Sequence, residues 1–191
     1  MKEDLTLIKD VLNNRSKAVE ELYDRFAPAL LSLCFRYTGN MQDAEDVLHE
    51  GFIKIIKNLV HFQPRLDSSL EAWMRKIMTN TALNYLRDHS RERQLIDVDK
   101  VQGRLILEDD DPQDFDLAHL PIDQDQILHM ISELPPGYRT VFNLYVFEEY
   151  SHKEICEKLN CTEGTSKSQL SKARAVLRAR ISETVNIYKT R

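Results

Sequence analysis

The stretch YSHKEICEKLNCTEGTSKSQLSKARAVLRARI, residues 150–181, determines how the C-terminal part of this chain is expected to fold. A short helix with Ile155 and Leu159 on its inner side is followed by a turn of about four residues and a longer helix. The longer helix carries a narrow apolar sector that must pack on the shorter one: Leu170, Ala173, Leu177 and Ile181. This spacing predicts a helix-turn-helix.

The opposite face of the longer helix is small and cationic. It carries Ser168, Ser171, Lys172 and Ala175, and it is flanked by Lys167 and Arg178. Small side chains let a helix sit deep in a DNA major groove about 12 Å wide, and lysines reach phosphates or guanine edges. Serine hydroxyls bond bases or phosphates. A solvated face on a generic bundle would show similar charge, but the short helix and tight turn before it favour DNA binding.

Charge is distributed unevenly along the chain. The whole chain has a net charge of −5, whereas residues 161–191 hold 7 bases and 2 acids, and residues 65–94 hold 6 bases and 4 acids. Between these two cationic segments, residues 95–126 hold 2 bases and 10 acids. The acidic strip with Gly103, Pro112 and Pro121 has no helical periodicity, which indicates a linker. Two cationic regions separated by an acidic strip indicate two domains with separate partners.

Helical periodicity dominates outside that strip, and only 5 glycines and 6 prolines occur in 191 residues. We therefore expect an all-α fold with two small helical domains, an N-terminal bundle and a C-terminal helix-turn-helix domain. Their expected bounds are 1–93 and 123–191, with the acidic linker at 94–122. Pro28 should kink or divide a long helix that spans residues 16–37. Asp43 is a plausible N-cap of the following helix, and Ser68 or Ser69 of the next.

The helix that begins near Ser69 carries bases and amides on one side. These residues are Lys76, Asn80, Asn84, Arg87 and Arg91, with Trp73 in the same sector. Asparagine reads adenine edges, and lysine and arginine hold phosphates. The preceding loop adds Phe62 and Arg65, and exposed aromatic and cationic groups suit an unpaired, flipped base. Alternatively, Phe62 and Trp73 belong to the core.

Acidic residues crowd the start of the preceding helix: Asp43, Glu45, Asp46 and Glu50. They stabilise the positive end of the helix dipole. Because they would repel DNA, this surface suits a basic protein partner. Catalysis by paired carboxylates is not expected, since no partner set of His, Ser or Lys accompanies them.

Other chemistry has no support in the sequence. The three cysteines, Cys34, Cys156 and Cys161, include no C-x-x-C, so neither a zinc site nor a disulfide framework is expected. They are interpreted as small buried residues rather than redox groups. GTSKS lacks the P-loop pattern, and HEGFI has Ile53 in place of the second histidine of a zinc motif. We expect no metal and no cofactor.

Three segments together resemble a known family: DAEDVLHEGFIKI, AWMRKIMTNTALNYLRD, and LPPGYRTVFNLYVFEEYSHKEICEKL with EGTSKSQLSKAR. They resemble the extracytoplasmic-function (ECF) group of bacterial RNA polymerase sigma factors in the sigma-70 family. The resemblance covers about residues 16–93 and 123–181. Three positions depart from the family pattern: His49 stands where Gln is common, Ser166 where Val is usual, and Cys156 where Ala is usual.

The resemblance implies a role for each face. The acidic helix would dock the clamp helices of the RNA polymerase β′ subunit, through Asp43, Glu45, Asp46, Val47, His49, Glu50 and Phe52. The loop and helix that follow would melt the promoter −10 element and hold a flipped base, through Phe62, Arg65, Trp73, Lys76, Asn80, Asn84 and Arg87. The last long helix would read the −35 element, through Thr165, Lys167, Ser168, Ser171 and Lys172. The linker would follow the RNA path, where a polyanion can mimic RNA in a basic channel.

The sequence therefore predicts a transcription initiation factor and not an enzyme. It would bind core RNA polymerase and give it promoter specificity. The alternatives are a free-standing helix-turn-helix regulator, which would need no acidic docking helix, and an interaction protein with no DNA role. Family members are often held inactive by an anti-sigma factor, although no residue here identifies one. No signal sequence and no membrane-spanning run are evident, so a cytoplasmic location is expected.

Overall fold

The computed structural model describes residues 2–63, 69–89 and 122–189, with no side-chain detail for Lys2, Gln124 and 186–189. The described residues are helical and form no strand. The chain divides into two compact units, Met1–Arg93 and Gln94–Arg191. The predicted all-α fold with two helical domains is confirmed. The predicted linker, residues 94–122, lies outside the described residues except for Ile122.

The described part of the first unit, residues 2–63 and 69–89, contains four α-helices. They are α1 (Lys2–Leu12), α2 (Ser16–Thr38), α3 (Met41–Asn58) and α4 (Leu70–His89), and a 3₁₀ turn, Leu59–His61, follows α3. Helix α2 continues without a break through Pro28, so the predicted division does not occur. Gly39 ends α2 in the left-handed conformation, with φ 80°, which glycine adopts without steric cost.

Helices α2, α3 and α4 pack against one another, and α1 packs on α2. Their shared core is made of residues that are almost fully excluded from solvent, among them Leu22, Leu30, Leu33, Val47, Ile55, Met74 and Met78. Gly51 lies at the closest approach of α3 and α4. A Cβ atom there would overlap the Sδ atom of Met78, so the glycine permits this helix contact.

The cap of α3 differs from the prediction. Asn40, not Asp43, is the N-cap, because its backbone is extended and its Oδ1 accepts a hydrogen bond from the Asp43 backbone N–H at 2.8 Å. Asn40 Nδ2 in turn donates to Asp43 Oδ2 at 2.7 Å. Asp43 lies three positions into the helix, where its carboxylate still favours the helix dipole. For α4, Ser69 is the cap, since its Oγ accepts from Ala72 N–H at 3.1 Å.

Within residues 122–189, the second unit shows four α-helices and one π-helical turn. They are α5 (Gln124–Ser132), α6 (Pro136–Phe142), the turn Asn143–Phe147, α7 (His152–Leu159) and α8 (Glu163–Lys189). Helix α7 begins with a capping box, in which Ser151 and Glu154 each satisfy a backbone N–H of the other. Its end is marked by Asn160 in the left-handed conformation, with φ 52° and ψ 49°.

Helix α8 is central to the second unit, because α5, α6 and α7 all pack on it. Its predicted apolar sector is confirmed, since Leu170, Ala173, Leu177 and Ile181 are all buried. Ile155 of α7 is fully buried, whereas Leu159 is half-buried. Buried apolar side chains therefore hold α7 against α8. The opposite side of α8 remains exposed to solvent.

No helix in the described parts of the chain is long and apolar enough to cross a membrane.

Candidate DNA-binding and protein-binding faces

The outer face of α8 is exposed as its sequence pattern predicts. Thr165, Lys167, Ser168 and Ser171 are exposed to solvent, and Lys172 is half-buried. All five lie within two turns at the start of the helix. The helix N-terminus adds a partial positive charge, which attracts phosphate. This arrangement places small hydroxyl groups at the centre and cations at the sides of one continuous face.

The two lysines of this face have different surroundings. Lys167 Nζ lies 3.7 Å from Glu163 Oε2 in an exposed pair, which is worth little in water and is easily exchanged for phosphate. Lys172 Nζ lies 5.9 Å from the centre of the Tyr138 ring of α6. The ring attracts the ammonium group and holds its aliphatic stem against the domain. Lys172 is therefore partly oriented before any ligand arrives.

A polar contact beneath this face was not anticipated. Ser166, one of the positions that depart from the family pattern, is fully buried, and its Oγ lies 2.9 Å from Nδ1 of His152 on α7. The His152 ring also stacks on Tyr145, with ring centres 4.8 Å apart. Burial, and then the charge of Lys167, lower the pKa of His152. A hydrogen bond thus joins the two helices where the apolar residue usual in the family would make a van der Waals contact.

Helix α4 presents the predicted polar face to solvent. Lys76, Asn80, Asn84 and Arg87 are all exposed. They lie on successive turns, and Arg87 Nη2 donates to Asn84 Oδ1 at 2.7 Å. The hydrogen bond fixes the amide so that its NH₂ group points away from Arg87 and can donate to a base or a phosphate.

The aromatic pair at the start of α4 is intermediate between core and surface. Phe62 and Trp73 are both half-buried, with ring centres 5.4 Å apart at an interplanar angle of 62°. This edge-to-face contact joins the loop after α3 to the first turn of α4. Arg65 and Arg91, the remaining predicted residues of the cationic face of α4, lie outside the described residues.

The acidic face of α3 is also open to solvent. Glu45, Asp46, His49 and Glu50 are exposed. Glu50 Oε1 pairs with Lys54 Nζ at 2.6 Å along the same helix, and the pair remains largely in water. Four polar residues over two turns make one surface that can meet a basic partner.

Three residues predicted for this face are placed differently. Val47 has no exposure and belongs to the core. Phe52 is also buried and packs against Tyr23 of α2, with ring centres 4.7 Å apart. Asp43 is half-buried and holds the cap of α3. These three side chains therefore support the acidic face from beneath or from its end, and they are not available for direct contact in this conformation.

Sequence reasoning missed one exposed apolar residue on the same side of α3. Ile53 is 54% exposed. It follows His49 by four residues and Glu50 by three, so it lies on the same helix face. An isoleucine outside the core pattern of α3 is the signal that could have identified it. An exposed large apolar group next to exposed polar side chains is typical of a protein interface, in which an apolar core has a polar rim.

Taken together, these features define a class of protein: a two-unit helical DNA-binding protein with a separate acidic face for a protein partner. The comparisons with known proteins agree with that class. Residues 22–92 match the family model of Sigma-70 region 2, and residues 124–177 match that of Sigma-70, region 4. The first match covers α4 and the acidic helix, and the second covers the helix-turn-helix.

Curated relatives are similar over nearly their whole length. The ECF RNA polymerase sigma-E factor of Escherichia coli (strain K12) is 30% identical over 93% of this chain and 95% of its own. The RNA polymerase sigma-H factor of Pseudomonas aeruginosa is 29% identical over 92% of each chain. The sigma factor SigW of Bacillus subtilis is 28% identical over 91% of this chain and 94% of its own. This chain belongs to the ECF group of the sigma-70 family.

A solved structure supports the fold. The sigma factor RpoE of Bartonella quintana, in complex with the anti-sigma factor NepR, has a TM-score of 0.50 with this chain at 21% identity. The similarity covers 86% of this chain and 96% of that one. As the family membership establishes, the chain is a transcription initiation factor that directs RNA polymerase to promoters.

Proposed function

We propose that each of the three faces performs one step of promoter recognition. The domain division would be 1–93 for polymerase docking and the −10 element, 94–122 for the linker, and 123–191 for the −35 element. The observation that carries the proposal is the separation of charge. The cationic face of α8 carries small hydroxyl side chains, the cationic face of α4 carries amides, and the acidic face lies on α3. Because the three faces are on different helices, the chain can bind DNA and a basic protein at the same time.

In the second unit, α8 would enter the major groove of the −35 element. Ser168 and Ser171 allow close approach and offer hydroxyl groups to base edges, while Lys167 and Lys172 bind the flanking phosphates. Thr165 lies in the first turn, where the helix dipole reinforces a phosphate contact. Lys172 is held by Tyr138, so less side-chain entropy is lost when it binds.

In the first unit, α4 would receive the −10 strand after melting. Lys76 and Arg87 bind the backbone, and Asn80 and Asn84 bond to bases. The Phe62–Trp73 pair offers an aromatic edge on which an unpaired base can stack, a contact worth about 1–3 kcal/mol per base. Arg65 would add a phosphate contact from the loop.

On α3, the acidic face would dock the β′ clamp helices of core RNA polymerase. Glu45, Asp46, His49 and Glu50 would form the polar rim, and Ile53 would fill an apolar depression at the centre. Asp43, Val47 and Phe52 would fix the shape of the helix rather than contact the partner. The factor would have no chemistry of its own and would work in the cytoplasm. An anti-sigma factor, such as the one bound by the Bartonella relative, would compete for these faces.

A test of polymerase docking uses gel filtration of the chain with core RNA polymerase. Asp46→Arg should abolish co-elution, because it reverses a charge at the centre of the proposed docking face. Glu20→Arg, an exposed acid on α2 outside all three faces, is the matched control and should co-elute normally. Co-elution that is unaffected by Asp46→Arg would contradict the docking assignment.

A test of −35 recognition uses a pool of random duplex DNA and the holoenzyme. After selection, the wild-type chain should enrich a sequence motif, and Lys167→Ala with Lys172→Ala should reduce binding to that motif. Each lost phosphate contact should also lower, by about 1, the slope of the logarithm of DNA affinity against the logarithm of salt concentration. Lys9→Ala with Lys17→Ala removes two exposed charges from α1 and α2 and is the control. Equal losses in both double variants would mean that α8 makes no specific contact.

A free-standing helix-turn-helix regulator is less well supported, because such a protein has no use for the acidic, Ile53-centred face of α3. It would be favoured if the chain selected the same DNA motif with and without core polymerase.

A further inference from the structure

Two thiols lie side by side at the turn of the helix-turn-helix. Cys156 is on α7 and Cys161 is in the turn before α8, and their Sγ atoms are 4.0 Å apart, with the Cys161 thiol donating to Cys156. Both residues are half-buried. The third cysteine, Cys34, is fully buried in the first unit. Burial raises the pKa of Cys34 to about 12, which makes it an inert thiol. Burial, and then the hydrogen bond with Cys156, raise the pKa of Cys161 as well, so thiol–disulfide exchange at this pair should be faster at mildly alkaline pH.

The backbone is what brings the pair together. Asn160 ends α7 in the left-handed conformation, and the Cys161 N–H returns to the Cys156 carbonyl at 3.3 Å. In helix ends of this type, the side chains of the two hydrogen-bonded residues contact each other, and the contact is usually apolar. Here both positions are cysteine. The geometry is therefore set by the helix end and does not depend on the thiols.

We infer that Cys156 and Cys161 form a redox modification site, at which a low-molecular-weight disulfide converts the two thiols into a reversible intrachain disulfide. A disulfide bond needs its sulfurs at about 2.05 Å and its Cα atoms at about 4.4–6.8 Å. The backbone hydrogen bond already keeps the two residues adjacent. Side-chain rotation, together with a small shift of the Cys161 backbone toward α7, has to bring the sulfurs about 2 Å closer than they are now.

The chemistry balances as a pair of exchanges. The thiolate of one cysteine attacks a sulfur of the disulfide RSSR, forming a mixed disulfide and releasing RS⁻. The second cysteine, as thiolate, attacks the protein sulfur of the mixed disulfide and releases the second RS⁻. The two protons lost by the cysteines are taken up by the released thiolates. Two protein thiols are oxidised to one disulfide, and RSSR is reduced to two RSH.

The consequence for DNA binding rests on the proposed role of α8. Cys161 precedes Thr162, whose Oγ1 accepts a hydrogen bond from the Thr165 backbone N–H at 3.2 Å and so caps α8. Pulling Cys161 toward α7 moves this cap and the first turn, where the proposed −35 contacts begin. The closed loop is short, so closure adds little chain-entropy stabilisation, and the bond stays easy to reduce.

The first experiment treats the full chain, fully reduced, with oxidised glutathione, then alkylates the free thiols and maps peptides by mass spectrometry. We expect two of the three thiols to be lost, an intact mass lower by two hydrogens, a Cys156–Cys161 cross-link, and full reversal by a dithiol reductant. Cys34→Ser should behave like the wild type. Retention of both thiols, glutathione adducts without the cross-link, or a cross-link that involves Cys34 would overturn the inference.

The second experiment measures affinity of the holoenzyme for its selected −35 duplex before and after oxidation. The oxidised form should bind about five- to tenfold more weakly, a factor that corresponds to the loss of about one helix cap. Cys161→Ser should show no response to the oxidant. A cross-link without any change in affinity would overturn the regulatory consequence. If the reduced chain selects no −35 duplex while the cross-link forms, the proposed role of α8 fails and the redox site stands.

Discussion

His152 shows how one residue links the two helices of the recognition motif. Its ring is half-buried, stacked on Tyr145, and hydrogen-bonded to the fully buried Ser166. Burial, followed by the charge of Lys167, lowers the pKa of His152; Glu163 raises it and Arg174 lowers it further. The neutral ring is therefore the form that the folded domain prefers.

This preference predicts that the folding stability of the second unit depends on pH. A folded-state pKa below the unfolded value, about 6.5, means that the unfolded chain binds more protons in this range. The contribution of neutral His152 to the stability of the folded unit is complete above about pH 6.5, and it is lost as the pH falls through the lower, folded-state pKa of His152. Amide hydrogen exchange of α7 and α8 should accelerate when the pH is lowered, after correction for intrinsic rates.

His152→Asn supplies the control, because asparagine keeps a hydrogen-bonding group and does not titrate. The variant should show a smaller change in protection of α7 and α8 over the same pH range. An identical pH response in both proteins would show that His152 does not carry the effect.

At the scale of whole helices, the contact between α3 and α4 has no room for a side chain at one position. It depends on the absence of a side chain at Gly51, since a Cβ atom would overlap the buried side chain of Met78. Alanine has the better helix propensity by about 1 kcal/mol, which acts in the opposite direction. Overpacking in a closed core costs about 1–3 kcal/mol, so the steric effect should dominate.

Gly51→Ala should therefore destabilise the first unit by about 1 kcal/mol. Trp73, the single tryptophan of the chain, lies in this unit and reports its unfolding in guanidinium by fluorescence. The pair Gly51→Ala and Met78→Ala tests the cause. If the overlap is responsible, the double variant should be more stable than the sum of the two single changes predicts. Simple additivity would contradict the packing argument.

The helix boundaries also show what pattern alone can determine. The predicted extent of α2, residues 16–37, and the predicted start of α4 near Ser69 agree closely with the structure, because Gly39 and Ser69 are clear end and start signals. The cap of α3 was wrong by three residues. Asn40 and Asp43 both have good capping side chains, and only the extended backbone at Asn40 decides between them.

For the whole molecule, the distribution of charge has a consequence of its own. Residues 95–126 hold 10 acids and 2 bases, and they are joined in sequence to two cationic DNA faces. A tethered polyanion competes with DNA for cations at high local concentration. Replacement of Glu108, Asp109, Asp110 and Asp111 by the corresponding amides should therefore raise the affinity of the free chain for duplex DNA several-fold at low salt.

The difference in DNA affinity between the amide variant and the wild type should vanish at about 1 M salt, where the screening length falls to about 3 Å. Fluorescence anisotropy with a labelled duplex, measured across a salt series, checks both the gain at low salt and its loss at high salt. Amide replacement of four exposed acids in the first unit, Glu3, Glu20, Glu21 and Asp24, changes the net charge equally and is the control. An equal gain in affinity for both variants would indicate a net-charge effect and not competition by the acidic segment.

By itself, the sequence determined the helical class, the division into two domains and the three faces, because each depends on periodicity and on the local order of charges. Only the tertiary structure decided which members of each face reach solvent. Val47 and Phe52 lie within an exposed acidic motif, yet both are buried, Phe52 against Tyr23 of α2, while Ile53 on the same helix is 54% exposed. The proximity of Cys156 and Cys161 was equally invisible in the sequence. It follows from one left-handed residue at the end of α7, and backbone conformation at a single position leaves no periodic signal.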